Sequence, residues 1–268
     1  MIRLSLLKVD LKKCTKCGMC AEVCPRQIIH VSENGPEVIE KEFCIACGHC
    51  VAICPNAALD NQRNPLSQQI SLEKNSILNE TDAATFLRSR RSIRSFKKKP
   101  VSRESMLELL NIARYAQTGG NSQGLAYLVL DNPEIIERIS SVTMDWMCKQ
   151  EGLGQYVHYI NVYNQTGKDM VLRGAPSVVL ALAEGGFRSG WDKACYALTY
   201  AELYATTLGL GTCRAGLLEQ CAKSEYQPLF EILRIPQSKK VCGALMVGYP
   251  KFSYKRLVER NPLEVFWG

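Results

Sequence analysis

Two copies of one cysteine pattern constrain this chain more than any other feature of its sequence. They lie 30 residues apart and read Cys14-x-x-Cys17-x-x-Cys20-x-x-x-Cys24-Pro25 and Cys44-x-x-Cys47-x-x-Cys50-x-x-x-Cys54-Pro55. Each copy supplies three thiols from one loop and a fourth just beyond it, and a [4Fe–4S] core needs four thiolates that converge on it. A segment this short cannot bury enough apolar surface to be stable alone. We therefore predict a small domain over residues 1–60 that two [4Fe–4S] clusters hold together.

Zinc binding and disulfide bonds are the alternative uses of these thiols. Zinc ribbons use paired C-x-x-C units, whereas here three cysteines share one loop and each run ends in Cys-Pro. Eight of the 13 cysteines fall within residues 14–54 at ligand spacing, which favours metal binding in a reducing compartment. The sequence begins without an apolar signal segment and has no run of about 18 apolar residues. We therefore expect a cytoplasmic protein that does not enter the membrane.

The first 60 residues resemble the bacterial-type ferredoxins that carry two [4Fe–4S] clusters. In that family the fourth cysteine of each run reaches the other cluster, and the proline after it turns the chain away. The resemblance therefore implies two ligand sets. The first set is Cys14, Cys17, Cys20 and Cys54, and the second set is Cys44, Cys47, Cys50 and Cys24.

The net charge of +7 is concentrated in one stretch of the chain. Residues 61–100 hold nine basic and three acidic side chains, and the excess centres on residues 88–99. A surface that binds nucleic acid is usually broader and interleaved with aromatic residues. We therefore expect no nucleic-acid partner.

A polar linker over residues 61–81 is predicted to lead into a larger domain over residues 82–268. The hydrophobic pattern predicts helices over 82–90, 102–115 and 193–208, and strands over 125–130, 177–183 and 241–247. Ser102 can cap the second of these helices, and Gly209 can end the third. Helices alternating with a few strands predict an α+β fold built round one sheet.

A basic segment opens the larger domain and reads Arg90-Arg91-Ser92-Ile93-Arg94-Ser95-Phe96. Its guanidinium and hydroxyl groups could grip a phosphate or the polar edge of a flavin, through charge-assisted hydrogen bonds worth about 1.5–3 kcal/mol each. The alternative is a solvated basic surface, which is our interpretation of the lysines at 97–99. The sequence has no G-x-G-x-x-G loop after a strand and no Walker loop.

Five landmarks, in order across residues 83–260, resemble the nitroreductase family of FMN proteins. They are R-R-S-x-R-x-F at 90–96, Asn121-Ser122-Gln123, Gly174-Ala175-Pro176, Leu208-Gly209-Leu210-Gly211-Thr212-Cys213 and Val247-Gly248-Tyr249-Pro250. The resemblance implies an α+β FMN domain with a central mixed sheet and flanking helices, and a homodimer with FMN at the subunit interface. The implied FMN-binding residues are Arg90, Arg91, Ser92, Arg94, Asn121, Gln123, Ala215, Gly216 and Arg256, with Tyr254 and Lys255 as competitors for the last role.

The chain departs from the family pattern beside the substrate face. Gln117 and Gly124 stand where members often have proline, and Arg214 stands where many have tryptophan. The substrate class is therefore the least transferable part of the resemblance.

The two halves together predict an iron–sulfur flavoprotein oxidoreductase that passes electrons between its clusters and FMN. The expected acceptor is a small organic molecule such as a nitro compound, a quinone or an enoyl-type compound. The expected donor is NAD(P)H or a reduced ferredoxin or flavodoxin. A flavin carries the redox chemistry itself, so no catalytic acid–base residue is assigned. The alternative is a non-catalytic electron carrier, or a redox protein that binds a partner without turning over a substrate.

Overall fold

The structure, a computed structural model, describes residues 5–72, 77–151, 153–185 and 189–268. The chain divides into two compact units, the first being Met1–Leu78 with Thr118–Ser122 and the second Asn79–Gln117 with Gln123–Gly268. Residues 1–4 of the predicted small domain and 73–76 of the predicted linker lie outside the described residues. None of the described helices is long and apolar enough to cross a membrane.

In the first unit the two copies of the sequence repeat form the same kinds of elements, a one-turn helix and a strand each. Strand β1 (Leu7–Val9) pairs antiparallel with β4 (Leu59–Asn61), and β2 (Ile29–Ser32) pairs with β3 (Gly35–Val38). A one-turn helix contains the third cysteine of each copy, Cys20 in α1 (Met19–Glu22) and Cys50 in α2 (His49–Ala52). Short 3₁₀ turns lie at Lys41–Phe43, Leu66–Gln68 and Gly119–Asn121.

Glycine is required where each cysteine loop enters its helix. Gly18 and Gly48 adopt φ values of 82° and 76°, a left-handed conformation that glycine reaches without steric cost. Buried apolar side chains beneath the loops, including Leu7, Val51 and Leu59, form a small core together with several of the cysteines.

The second unit is built around one four-stranded sheet. Its strands are β5 (Ala126–Leu130), β6 (Ser177–Glu184), β7 (Gly211–Arg214) and β8 (Lys239–Gly248). They pair antiparallel in the order β5-β6-β8-β7, and an isolated parallel bridge joins Ser92 to Thr212. The helices are α3 (Glu80–Ser89), α4 (Arg103–Ala113), α5 (Pro133–Cys148), α6 (Val157–Thr166), α7 (Gly190–Ala205), α8 (Gly216–Lys223) and α9 (Gln227–Leu233), with a 3₁₀ turn at Leu153–Gln155.

Strand β6 explains why helices cover both faces of the sheet. Seven of its eight residues are buried, and alternate side chains enter two different cores. Val178, Leu180 and Leu182 join a core that contains buried side chains of α5, α8 and α9. Val179, Ala181 and Ala183 join the core that contains buried side chains of α4 and α7. A fully apolar strand of this kind belongs in the middle layer of a helix–sheet–helix arrangement.

The structure confirms the predicted α+β fold and locates the predicted elements. Helix α4 begins after Ser102, whose hydroxyl accepts a hydrogen bond from the backbone N–H of Ser105, and it ends two residues earlier than predicted. Helix α7 begins and ends three residues earlier than predicted, so Gly209 does not directly end it, and the chain turns at Gly209, where φ is 67°. Helices α5 and α6 lie between residues 131 and 176, where the hydrophobic pattern predicted no helix or strand.

Candidate cofactor sites

Two cavities in the first unit are each lined by four cysteines. The residues around the first cavity include Cys14, Cys17, Cys20 and Cys54, and those around the second include Cys24, Cys44, Cys47 and Cys50. The structure therefore brings together the first and second ligand sets, each with its fourth cysteine taken from the other copy of the repeat.

The cavities fit a polynuclear iron–sulfur core in the chemistry of their donors. The thiols surround a volume, and within the described ranges no group of three or more His, Cys, Asp or Glu side chains could hold a metal ion by itself. Lys16 and Ala46 have φ values of 57° and 53°, so both loops curl in the same way around the cavity that they line. The backbone N–H of Ala58 donates to Cys54 Sγ at 3.3 Å.

The carbonyl groups of the second cysteine loop are held by side chains of the same unit. Arg63 Nη1 donates to the carbonyl oxygen of Cys44 at 2.6 Å. Asn121, which belongs to the first unit, donates from Nδ2 to the carbonyl oxygens of Ile45 and Ala46 at 2.9 and 3.1 Å. The structure therefore gives Asn121, one of the predicted FMN residues, contacts with the cluster loop.

In the second unit the predicted basic segment lies between the start of β7 and the end of β8. The backbone N–H of Ile93 donates to the carbonyl oxygen of Thr212 at 2.8 Å, and that of Lys97 donates to the carbonyl oxygen of Tyr249 at 2.8 Å. A Cβ atom at Gly211 would lie 2.5 Å from Ile93 Cγ1, so only glycine permits this approach. The segment 90–96 and the connection 213–216, far apart in sequence, are thereby brought side by side.

Arg90 is held by a buried acid on helix α7. Its Nη1 lies 3.4 Å from Glu202 Oε1, and Thr212 Oγ1 lies 3.5 Å from the same oxygen. Burial raises the pKa of the Glu202 carboxyl, while the neighbouring Arg90 and Arg214 oppose that shift. Glu202 therefore compensates part of the charge of Arg90.

Arg91 and Arg94 line open clefts beside the segment that follows β8. The Arg91 guanidinium lies 5.3 Å from the ring centre of Tyr254, and its buried Nε has no hydrogen-bond partner among the described residues. The cleft next to it has a volume of 440 Å³ and is also lined by Lys97 and Lys251. Arg94 is exposed and lines an adjoining cleft of 290 Å³ with Tyr254. Among the described residues, none of these four cationic side chains forms an ion pair with an acid, so together they can receive an anion.

The thiol of Cys213 lies next to two of the predicted FMN residues. Burial raises its pKa, while the charge of Arg94 and a hydrogen bond with Ser92 oppose the shift. Ser92 and Arg94 therefore face the strand that leads into Ala215.

Ala215 and Gly216 form the connection from β7 to α8. Ala215 is buried, and its backbone N–H donates to the carbonyl oxygen of Ala244 at 2.9 Å. Gly216 is exposed, and a Cβ atom there would meet no atom within 4 Å. The backbone at Gly216 is therefore open to a flat ligand.

Arg214 is turned into the protein. Its Nε and Nη2 contact Glu219 Oε1 at 2.8 and 2.6 Å, and the same oxygen accepts the backbone N–H of Ala244 at 2.7 Å. Neither Glu202 nor Glu219 was predicted from the sequence. For each of them, the signal available in the sequence was one acidic residue among helix residues that pack toward the core.

The remaining predicted residues lie at the edges of the second unit. Arg256 is exposed and lies in the segment after β8, which forms no helix or strand. Gln123 has a φ of 45°, and its carbonyl oxygen accepts a hydrogen bond from the buried Lys193 at 3.3 Å. Gln123 thus belongs to the second unit, whereas Asn121 belongs to the first.

Comparison with family models gives two matches. The model described as "Nitroreductase family" matches residues 87–249, and the model described as "4Fe-4S dicluster domain" matches residues 6–55. Among curated proteins, none matches the chain by sequence.

Solved structures of similar fold cover most of the chain. A nitroreductase with bound FMN from Bacteroides fragilis NCTC 9343 has a TM-score of 0.58 at 18% identity, covering 71% of this chain and 100% of its own. One from Desulfitobacterium hafniense DCB-2, also with bound FMN, gives the same values. Iodotyrosine deiodinase bound to FMN and 3-iodo-L-tyrosine has a TM-score of 0.53 at 19% identity, covering 69% of this chain and 98% of its own. At these identities the likeness is one of fold.

Proposed function

The chain belongs to the nitroreductase family, and from that premise we propose that it is an iron–sulfur flavoprotein oxidoreductase that passes electrons between two [4Fe–4S] clusters and FMN. The observation that carries the proposal is the grouping of eight cysteines into two sets of four, in a chain whose second unit has the nitroreductase fold. The flavin would supply the conversion between one-electron and two-electron chemistry, while the protein binds it and tunes it.

We propose that the first and second sets are the cluster ligands. The thiolate form binds iron, so loading requires the eight thiols to lose their protons and remain reduced. This requirement also supports our proposal of a cytoplasmic location, where thiols are kept reduced.

The FMN site is proposed to lie along the segment 90–96 and the connection 213–216. Arg91, Arg94 and Arg256 are proposed to neutralise the phosphate. Among the described residues that line the clefts of Arg91 and Arg94, Glu202 is the only acid, and it pairs with Arg90. Ser92 would add a hydroxyl donor, and Arg90 would contribute the part of its charge that Glu202 leaves uncompensated. Ala215 and Gly216 would lie beside the ring.

We further propose a homodimer in which Asn121 and Gln123 reach the flavin of the partner subunit. The proposed donors are NAD(P)H or a reduced ferredoxin or flavodoxin, and the proposed acceptors are nitro compounds, quinones or enoyl-type compounds. FMN in the three similar structures supports the cofactor for this chain. It does not select among the acceptors.

Cofactor content and flavin reduction test the proposal. We expect anaerobically purified protein to hold about eight iron atoms, about eight sulfides and about one FMN per chain, since two cubane clusters contain about four of each inorganic atom. Addition of NADH or of reduced ferredoxin should bleach the flavin absorbance. Iron without FMN would favour the non-catalytic electron carrier instead. Bound FMN that neither donor bleaches would refute the proposed reaction.

A further inference from the structure

The two copies of the cysteine repeat differ in the side chain that faces the ligand cysteines. Asn61 lines the cavity of the second set, and Val31, which occupies the same position 30 residues earlier, lines the cavity of the first. Asn61 Nδ2 lies 3.9 Å from Cys50 Sγ. The hydrocarbon side chain of Val31 has no hydrogen to donate.

The orientation of the Asn61 carboxamide is fixed by its other end. Its Oδ1 accepts the backbone N–H of Arg63 at 2.9 Å, so the donor Nδ2 must point away from that group and toward Cys50. The residue is the last of β4 and pairs with Leu7 of β1, and only 4% of its surface is exposed. A buried amide costs free energy unless it is hydrogen-bonded, so this one is held in place by both of its bonds.

A hydrogen bond to a ligand sulfur changes the reduction potential of the metal centre behind it. Added electron density on the reduced cluster strengthens the bond, and the bond therefore stabilises the reduced form relative to the oxidised form. Resting on the function proposed above, we propose that Asn61 raises the reduction potential of the cluster of the second set, a contribution that Val31 cannot make at the first. It shifts the electrons shared between the clusters toward the second set.

Exposed charges lie near both loops. Lys13 and Lys16 line the first cavity and Arg26 lines the second, where Arg63 also donates to the carbonyl oxygen of Cys44, and all four side chains are exposed. Salt screens exposed charges over about 8–10 Å. The backbone N–H of Ala58 donates to Cys54 Sγ of the first set at 3.3 Å, which favours reduction there. The Asn61 donor lies in a buried cavity and acts on the second set, so its own contribution is the change in potential that its substitution produces.

The reciprocal pair Asn61→Val and Val31→Asn tests the proposal in the full, cluster-loaded chain. A redox titration followed by electron paramagnetic resonance should show that one of the two midpoint potentials is lower in Asn61→Val by about 59 mV. For one electron this shift equals about a tenfold change in the equilibrium that shares electrons between the clusters. Val31→Asn should raise the other potential. Asn61→Thr, which keeps a hydroxyl donor, should fall between the wild-type protein and Asn61→Val.

Iron content separates this inference from the proposed function. Variants that hold about eight iron atoms per chain but leave both potentials unchanged would overturn the role of Asn61. A wild-type chain that holds no iron–sulfur clusters would refute the proposed function itself. If Asn61→Val loses iron, Val31→Asn still tests the proposal. A cluster-loaded Val31→Asn protein in which both potentials are unchanged would contradict it.

Discussion

Removal of the Glu219 carboxylate should destabilise the second unit, because this one group compensates both a cation and a backbone donor. Glu219 Oε1 receives the Arg214 guanidinium at 2.6 and 2.8 Å and the Ala244 N–H at 2.7 Å. The side chains are 27% exposed at Arg214 and 9% exposed at Glu219. Breaking a fully buried pair costs about 3–5 kcal/mol, and the partial exposure of Arg214 reduces this to about 2 kcal/mol.

Two substitutions separate the charge from the backbone hydrogen bond. Glu219→Gln keeps an acceptor for Ala244 and should lower the free energy of unfolding by about 2 kcal/mol. Glu219→Leu also leaves the Ala244 N–H unpaired, which adds about 1–3 kcal/mol. Adding Arg214→Met to Glu219→Leu removes the uncompensated cation and should restore about 2 kcal/mol.

Urea unfolding followed by tryptophan fluorescence measures these differences in the second unit. All three tryptophans of the chain lie in it, at positions 146, 191 and 267. The concentration of FMN must be the same for each variant, because a bound ligand adds to apparent stability. Stability of Glu219→Gln equal to the wild type, or a double variant no more stable than Glu219→Leu, would refute the reasoning.

Three further predictions concern the cluster loop, the basic segment and the buried acid of α7. Cys17→Ala should halve the iron content and spare FMN, whereas Cys148→Ala, at an exposed cysteine, should change neither. Metal and flavin analysis checks this, and equal loss of both cofactors would contradict it. Arg94→Ala should weaken FMN binding by about tenfold or more in a flavin titration, since a charge-assisted bond is worth about 1.5–3 kcal/mol. Lys98→Ala is the matched control, and the iron content of Arg94→Ala should stay unchanged. Unchanged flavin affinity would show that Arg94 does not contribute to the site. Burial raises the pKa of Glu202 above its usual 4.5, so its protonated form favours folding and that contribution is lost as pH rises through the folded-state pKa. The unfolding free energy of the wild type relative to Glu202→Gln should therefore fall as pH rises above 4.5, and a difference that does not change with pH would count against a raised pKa.

Local sequence patterns predicted those helices and strands that a single signal in the sequence is sufficient to identify. The apolar run at 177–183 corresponds to strand β6, because a strand buried on both faces needs no alternation of polar and apolar residues. The hydroxyl of Ser102 caps α4 as its position predicted. Helix α5 was missed although Asn132 and Pro133 mark its start, since the family comparison offered no landmark in that stretch.

Buried ion pairs could not be predicted from the same patterns. Glu202 contacts Arg90, 112 residues away in the sequence. Only the packing of segment 90–96 against β7 brings the two together, through the bridge between Ser92 and Thr212. A sequence pattern gives the period of a helix, but the partner of a buried acid depends on which distant segment lies over it.

Asn121 shows why the two cofactor sites differ in how much their sequence reveals. The proposed cluster ligands lie within a short repeat, so spacing identified all eight, and the resemblance to two-cluster ferredoxins divided them into the two sets that the structure also groups. The proposed FMN residues come from separated segments, and a shared motif predicts the position of a residue in the chain but not the residues that surround it in the fold. In this chain the Asn121 amide donates to carbonyls of the second cysteine loop, so a loss of flavin in Asn121→Ala would not by itself identify a flavin contact. Only the combination of flavin affinity with the spectrum of the second cluster can assign the role of this residue.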